Sequence, residues 1–131
     1  MQEEPGFSVT LWSTDVFAMT DFLQKVAGLA VHERHPGYAA LATDAARIMV
    51  HADEAYQGHP WYQALAREGV ARGLGAELRF RVANLDASYA RARALGALVI
   101  APPYEMDGAR ECQLMGPDSY LISLWQPSDL P

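Results

Sequence analysis

One order of elements occurs twice along this chain, and a repeat of that kind restricts the fold to two matched halves. From Phe7 the residues Phe7, Val9 and Leu11 alternate with Ser8, Thr10 and Trp12, the pattern of a strand with one face covered. Near Asp15 that pattern stops, and Thr14 or Asp15 is placed to cap a helix carrying Phe17, Phe22, Leu23 and Val26, which Gly28 ends. Strands are then predicted over Leu29–Glu33, Tyr38–Thr43 and Arg47–His51. After Gly75 the order restarts: Glu77, Arg79 and Arg81 alternate with Leu78, Phe80 and Val82. Asn84 or Asp86 caps a helix with Tyr89, Ala92 and Leu95, closed by Gly96. Strands are predicted over Leu98–Ala101, Arg110–Met115 and Tyr120–Trp125. Each half reads βαβββ, with Ser8–Asp15 falling on Glu77–Asn84 and Arg47–His51 on Leu121–Trp125.

The expected organisation is an α+β single domain over residues 1–131. Its first βαβββ module covers 7–51, a polar connector covers 52–75 with a helix from Pro60 through Val70, and its second module covers 76–126. With half of its 131 residues hydrophobic, the chain has material for one substantial core. A net charge of -6 without a basic cluster argues against nucleic acid as a partner, because phosphate contacts need Lys and Arg gathered on one face. The lone Cys112 excludes an internal disulfide framework and suits a reducing compartment. The stretch Met1–Gly6 is acidic where a secretory signal is basic, and no apolar run reaches the length of a membrane span. The expectation is a soluble, cytoplasmic protein with no membrane partner.

Alternation also separates the two faces of each sheet. Phe7, Val9, Leu11, Leu78, Phe80, Val82, Ile122 and Leu124 are assigned to the core under the helices. Opposite them lie Ser8, Thr10, Trp12, Arg47, Met49, His51, Glu77, Arg79, Arg81, Leu121, Ser123 and Trp125. Trp12 and Trp125, with a carboxylate and hydroxyls between them, form a candidate aromatic clamp for a planar or cationic ligand. Tyr104, Glu111 and Gln113 extend the same wall, and Trp61 and Tyr62 from the connector are placed to cover it. The blander alternative is that these aromatics fill the interior or a subunit interface. Arg79 and Arg81 either pair with Glu77 or Glu111, or Arg79 holds an anionic group. Glu77 is the candidate for acid/base work, which a buried carboxylate performs when desolvation raises its pKa. Cys112 alternates with Glu111 and Gln113 and is assigned beneath the second helix. His32, His35 and His59 read as solvated residues, whereas His51 falls on the site face.

Two runs carry a family resemblance. Glu77-Leu78-Arg79-Phe80-Arg81-Val82-Ala83-Asn84-Leu85-Asp86-Ala87, followed by Ala90, Ala94 and Gly96, resembles the strand-plus-helix signature of the vicinal oxygen chelate superfamily. Gly116-Pro117-Asp118-Ser119-Tyr120-Leu121-Ile122-Ser123-Leu124 resembles its terminal hairpin. That superfamily includes glyoxalase I, extradiol dioxygenases and bleomycin-resistance proteins. The resemblance implies two βαβββ modules forming a cupped mixed sheet, a site on its concave side, and a homodimer. It places the family's metal ligands on Ser8, Met49, Glu77 and Ser123, of which only Glu77 is a good ligand for a divalent metal. No metal and no cofactor are therefore expected. The implied function is metal-independent binding of a small aromatic or cationic organic molecule, such as an antibiotic. The alternative is a metal-free lyase or isomerase of the same fold, with Glu77 as acid/base and Arg79 stabilising an oxyanion.

Overall fold

A computed structural model describes residues 6–58, 60 and 72–128. Beyond Pro60 itself, the helix predicted from Pro60 through Val70 lies outside the described residues, and Trp61, Tyr62 and His59 lie outside them too. The elements run β1 (Ser8–Ser13), α1 (Val16–Lys25), β2 (Ala30–His35), β3 (Tyr38–Ala42), β4 (Arg47–Ala52) and a 3-10 turn (Asp53–Tyr56). There follow β5 (Gly73–Arg81), α2 (Leu85–Ala94), β6 (Leu98–Met106), β7 (Ala109–Met115), a 3-10 turn (Pro117–Ser119) and β8 (Tyr120–Pro127). This is βαβββ twice, in two four-stranded sheets of order β1-β4-β3-β2 and β5-β8-β7-β6. In each, first and last strands pair in parallel and the remaining neighbours antiparallel, so both sheets are mixed. The chain divides into two compact units, one built on each sheet.

The start and stop of α1 follow from three residues. Ser13 Oγ accepts the Asp15 N–H at 3.0 Å, and Asp15 Oδ1 accepts the Ala18 N–H at 3.1 Å, which satisfies an amide that the first helical turn leaves without a partner. Gly28 at φ 76° turns the chain out of the helix, and the Leu29 N–H reaches back to the Leu23 carbonyl at 3.2 Å. Val16, Met19, Thr20, Phe22 and Leu23 are buried on α1, and Leu11, Ala39, Leu41, Ile48 and Val50 on the strands. Phe7, assigned above to this core, is 63% exposed: it lies just before β1, where its carbonyl accepts the Arg47 N–H at 3.3 Å while its side chain stays outside the core. His32 and His35 lie on the edge strand β2, and both are exposed.

The second unit repeats the plan, with α2 packed on β6, β7 and β8. Asn84 Oδ1 accepts the Ala87 N–H at 3.0 Å and caps α2, and Gly96 at φ 90° ends it. Replacing Asn84 by alanine is expected to lower stability by about 1 kcal/mol in thermal or urea unfolding, the usual cost of a lost N-cap. Phe80, Val82, Leu85, Cys112, Leu114, Ile122 and Leu124 are buried, and burial pushes the Cys112 thiol up to about 11. Leu78 is only half-buried. Two strand boundaries move. β5 begins at Gly73, before the expected restart, and β6 runs on past Ala101 to Met106. The extension passes through Pro102-Pro103, which an edge strand tolerates because its outer amides have no strand partner among the described residues. Its pairing with β7 shifts register on either side of Ala101.

Candidate functional site

The face of the second sheet away from α2 carries a row of polar and aromatic side chains from all four strands. Register places Arg79 beside Ser123, Arg81 beside Trp125, Gln113 beside Ser123, Glu111 beside Trp125 and Tyr104 beside Glu111. At the centre of this row is Glu111, only 8% exposed although ionisable. Tyr104 donates its hydroxyl to Glu111 Oε1 at 2.5 Å. Arg79 donates Nε and Nη2 to Oε2 at 3.2 and 2.6 Å. A buried carboxylate is stable only when its oxygens are satisfied, and here both are. The tyrosine hydroxyl and then the guanidinium hold Glu111 below the usual carboxylate range, against the opposing effect of burial. The same hydrogen bond, with burial, pushes Tyr104 up to about 12.

Trp125 lies beneath two cations. The Arg79 guanidinium is 4.9 Å and that of Arg81 5.4 Å from its ring, both within cation–π range. The face that the sequence offered to a cationic ligand is thus occupied by the protein's own arginines. Glu77 also departs from expectation. It is exposed, not buried, and its Oε2 accepts Gln113 Nε2 and Ser123 Oγ, each at 2.9 Å. The buried setting proposed for Glu77 occurs instead at Glu111, and Arg79 pairs with Glu111 rather than Glu77. The cause is lateral reach: a guanidinium on β5 crosses β8 to a carboxylate on β7, which alternation along a single strand does not reveal.

The first sheet carries a corresponding row. Register sets Ser8 beside Arg47, Thr10 beside Met49, and Trp12 beside His51, with Tyr38 on the other side of His51. The His51 ring meets Tyr38 edge-on at 5.2 Å and Trp12 in a tilted arrangement at 6.4 Å. Tyr38 joins this row beside His51, and the sequence reading omitted it. The signal was available in the loop Thr43–Ala46, which closes on itself through Thr43 and so sets the β3–β4 register that brings Tyr38 opposite His51.

The family's metal positions do not fit a metal centre by donor chemistry. The first unit supplies the Ser8 hydroxyl and the Met49 thioether. The second supplies the Ser123 hydroxyl, already donated to Glu77, and Glu77 itself. One carboxylate with two hydroxyls and a thioether falls short of the usual three His, Cys, Asp or Glu ligands. Among the described residues, no other cluster of three such side chains could hold an ion. No described helix is long and apolar enough to cross a membrane.

Known structures place the fold. The chain is similar to a glyoxalase/bleomycin resistance protein/dioxygenase family enzyme from Burkholderia phytofirmans PsJN, with 28% identity, a TM-score of 0.71, and coverage of 92% of this chain and 96% of that one. A glyoxalase/bleomycin resistance protein from Albidiferax ferrireducens T118 superposes with a TM-score of 0.68 at 18% identity, over 91% and 95% of the two chains. The fosfomycin resistance protein FosX from Mesorhizobium loti does so with 0.65 at 15% identity, over 98% and 96%. No protein-family model and no curated protein matches the chain. The fold is that of the glyoxalase/bleomycin-resistance type, and the resemblance to the vicinal oxygen chelate superfamily holds in three dimensions.

Proposed function

We propose that this chain, on its glyoxalase/bleomycin-resistance fold, is a small-molecule-binding protein that takes an aromatic organic ligand on the polar face of the second sheet without a metal. The observation that carries this reading is the Tyr104–Glu111–Arg79 network seated beside Trp125. Its groups are ordered and neutralise one another before any ligand arrives, which lowers the entropy cost of binding. Tyr104 and Arg79 hold Glu111 ionised and below the usual carboxylate range, which makes it a weak base for a substrate proton. Two guanidinium planes over Trp125 favour a neutral or anionic aromatic ring over a cation. Antibiotics are the first class to screen, since the similar structures include proteins named for bleomycin and fosfomycin resistance. A homodimer in the cytoplasm is the expected working form.

Thermal-shift screening with neutral, anionic and cationic aromatic compounds, with and without Zn²⁺ and Mn²⁺, tests the proposal. A genuine ligand at a hundredfold excess over its Kd is expected to add about 2.7 kcal/mol of stability, independent of metal. Stabilisation by divalent metal alone, with no organic compound acting, rules the reading out. One observation favours the enzymatic alternative: Glu77 is held through Oε2 by Gln113 and Ser123, which leaves Oε1 open. If Glu77 is a base in a metal-free lyase or isomerase, Glu77→Gln abolishes turnover of a bound compound yet leaves its affinity within a fewfold.

A further inference from the structure

The polar face of the second sheet changes character along its strands. At one end, register sets Glu77 beside Leu121, Leu121 beside Met115 and Met115 beside Leu98. Side chains paired across strands share a face, so these four stand on the face that carries Glu111 and Trp125. Leu98 is 62% exposed, and Met115 and Leu121 are half-buried, so an apolar strip lies open there. At the other end, register sets Arg81 beside Trp125, Trp125 beside Glu111 and Glu111 beside Tyr104. Four residues of β5 separate Glu77 from Arg81, a span of about 13 Å.

Charge is spread unevenly over that span. Arg79 is neutralised by Glu111 at 2.6 Å. Arg81 is exposed, lies 5.4 Å from the Trp125 ring, and forms no ion pair with a carboxylate among the described residues. One guanidinium charge is therefore left for a ligand. It matches the single negative charge of a carboxylate, which the planar fork of an arginine holds through two parallel hydrogen bonds. The apolar end repels the same group, because Glu77 stands there beside Leu121 and is exposed. A molecule with a carboxylate at one end and an apolar body at the other fits this face in one direction only.

Resting on the reading above that this face takes an aromatic molecule, we propose that the molecule is an amphipathic carboxylic acid, with its carboxylate on Arg81 and its apolar body along Leu121, Met115 and Leu98. The test is an NMR titration of the whole chain, followed at the arginine Nε–H and methionine methyl signals, with phenylhexanoate, phenylhexanol and phenylhexylamine. The three share a ring and a chain of the required length and differ in the head group. Phenylhexanoate is expected to move the Arg81 Nε–H and the Met115 methyl together. It should bind about ten- to hundredfold more tightly than the alcohol, the worth of a charge-assisted hydrogen bond, and the amine most weakly. Arg81→Gln should remove that preference, and since Arg81 is exposed the substitution leaves the core untouched. Leu98→Ser, at another exposed position, should weaken the acid about three- to tenfold through lost apolar contact. An alcohol that binds this face as tightly as the acid, a preference that survives Arg81→Gln, or an affinity unmoved by Leu98→Ser overturns the proposal and leaves the aromatic-binding reading standing. No response of this face to any of the three compounds overturns both.

Discussion

Truncating Glu111 to alanine is expected to cost the second unit about 2–3 kcal/mol and to remove ligand binding on its polar face. The loss has two sources. Tyr104 and Arg79 each lose an acceptor, and Arg79 is left as a cation over Trp125 without its anion. Removing one member of a fully buried pair costs more than this, but the Arg79 side chain is 44% exposed, so water recovers part of the loss. Urea unfolding of Glu111→Ala against wild type measures the effect. A difference under about 0.5 kcal/mol, the range of an ordinary surface change, shows that the network does not hold the face together.

The same network sets a pH signature. Glu111 is depressed in the folded state, so its stabilisation is present above the ordinary carboxylate value of 4.5 and is lost as pH falls through the lower folded value. Tyr104 is raised from 10.0 to about 12, so its contribution is complete below 10.0 and is lost as pH rises towards 12. Stability attributable to this pair is therefore expected to be flat between those limits and to fall at both ends. Glu111→Gln should blunt the acid limb. An acid limb of unchanged steepness in that variant assigns it to other carboxylates.

Gly73→Ala is the second change with a large expected effect. Gly73 is buried opposite Tyr120, where β5 meets β8, and a Cβ there would stand 2.7 Å from the Tyr120 Cα. A flexible side chain could swing aside, but a backbone atom in a paired strand cannot. The strands must therefore part or slip, at a cost of about 3 kcal/mol, the upper end for overpacking. Gly75→Ala is the control, since nothing lies within 4 Å of its added Cβ. Equal melting temperatures for Gly73→Ala and wild type would contradict this pairing of β5 with β8.

Much of the fold was legible because it rests on local signals. Asp15 and Asn84 cap the two helices, Gly28 and Gly96 end them at positive φ, and period-two alternation places Phe80, Ile122 and Leu124 inside. Where local signals misled, a tertiary condition decided. Pro102-Pro103 reads as the end of a strand, yet β6 continues through it because its outer edge pairs with no strand among the described residues. Phe7 continues the apolar alternation of β1, yet it lies just before that strand and its side chain stays exposed.

The candidate site divides in the same way. The amino-acid sequence by itself determined which side chains share a face, because successive residues of a strand point to opposite sides, and Glu77, Arg79, Glu111, Gln113, Ser123 and Trp125 all follow that rule. Only the tertiary structure decided which of these carboxylates is buried and which is exposed. It also decided that Arg79 reaches Glu111, and that Trp125 carries the protein's own cations rather than an open ring. The physical reason is that facing is a property of one strand, whereas partners lie on neighbouring strands. Strand order and register, which bring β7 within reach of β5 across β8, arise only when the sheet assembles.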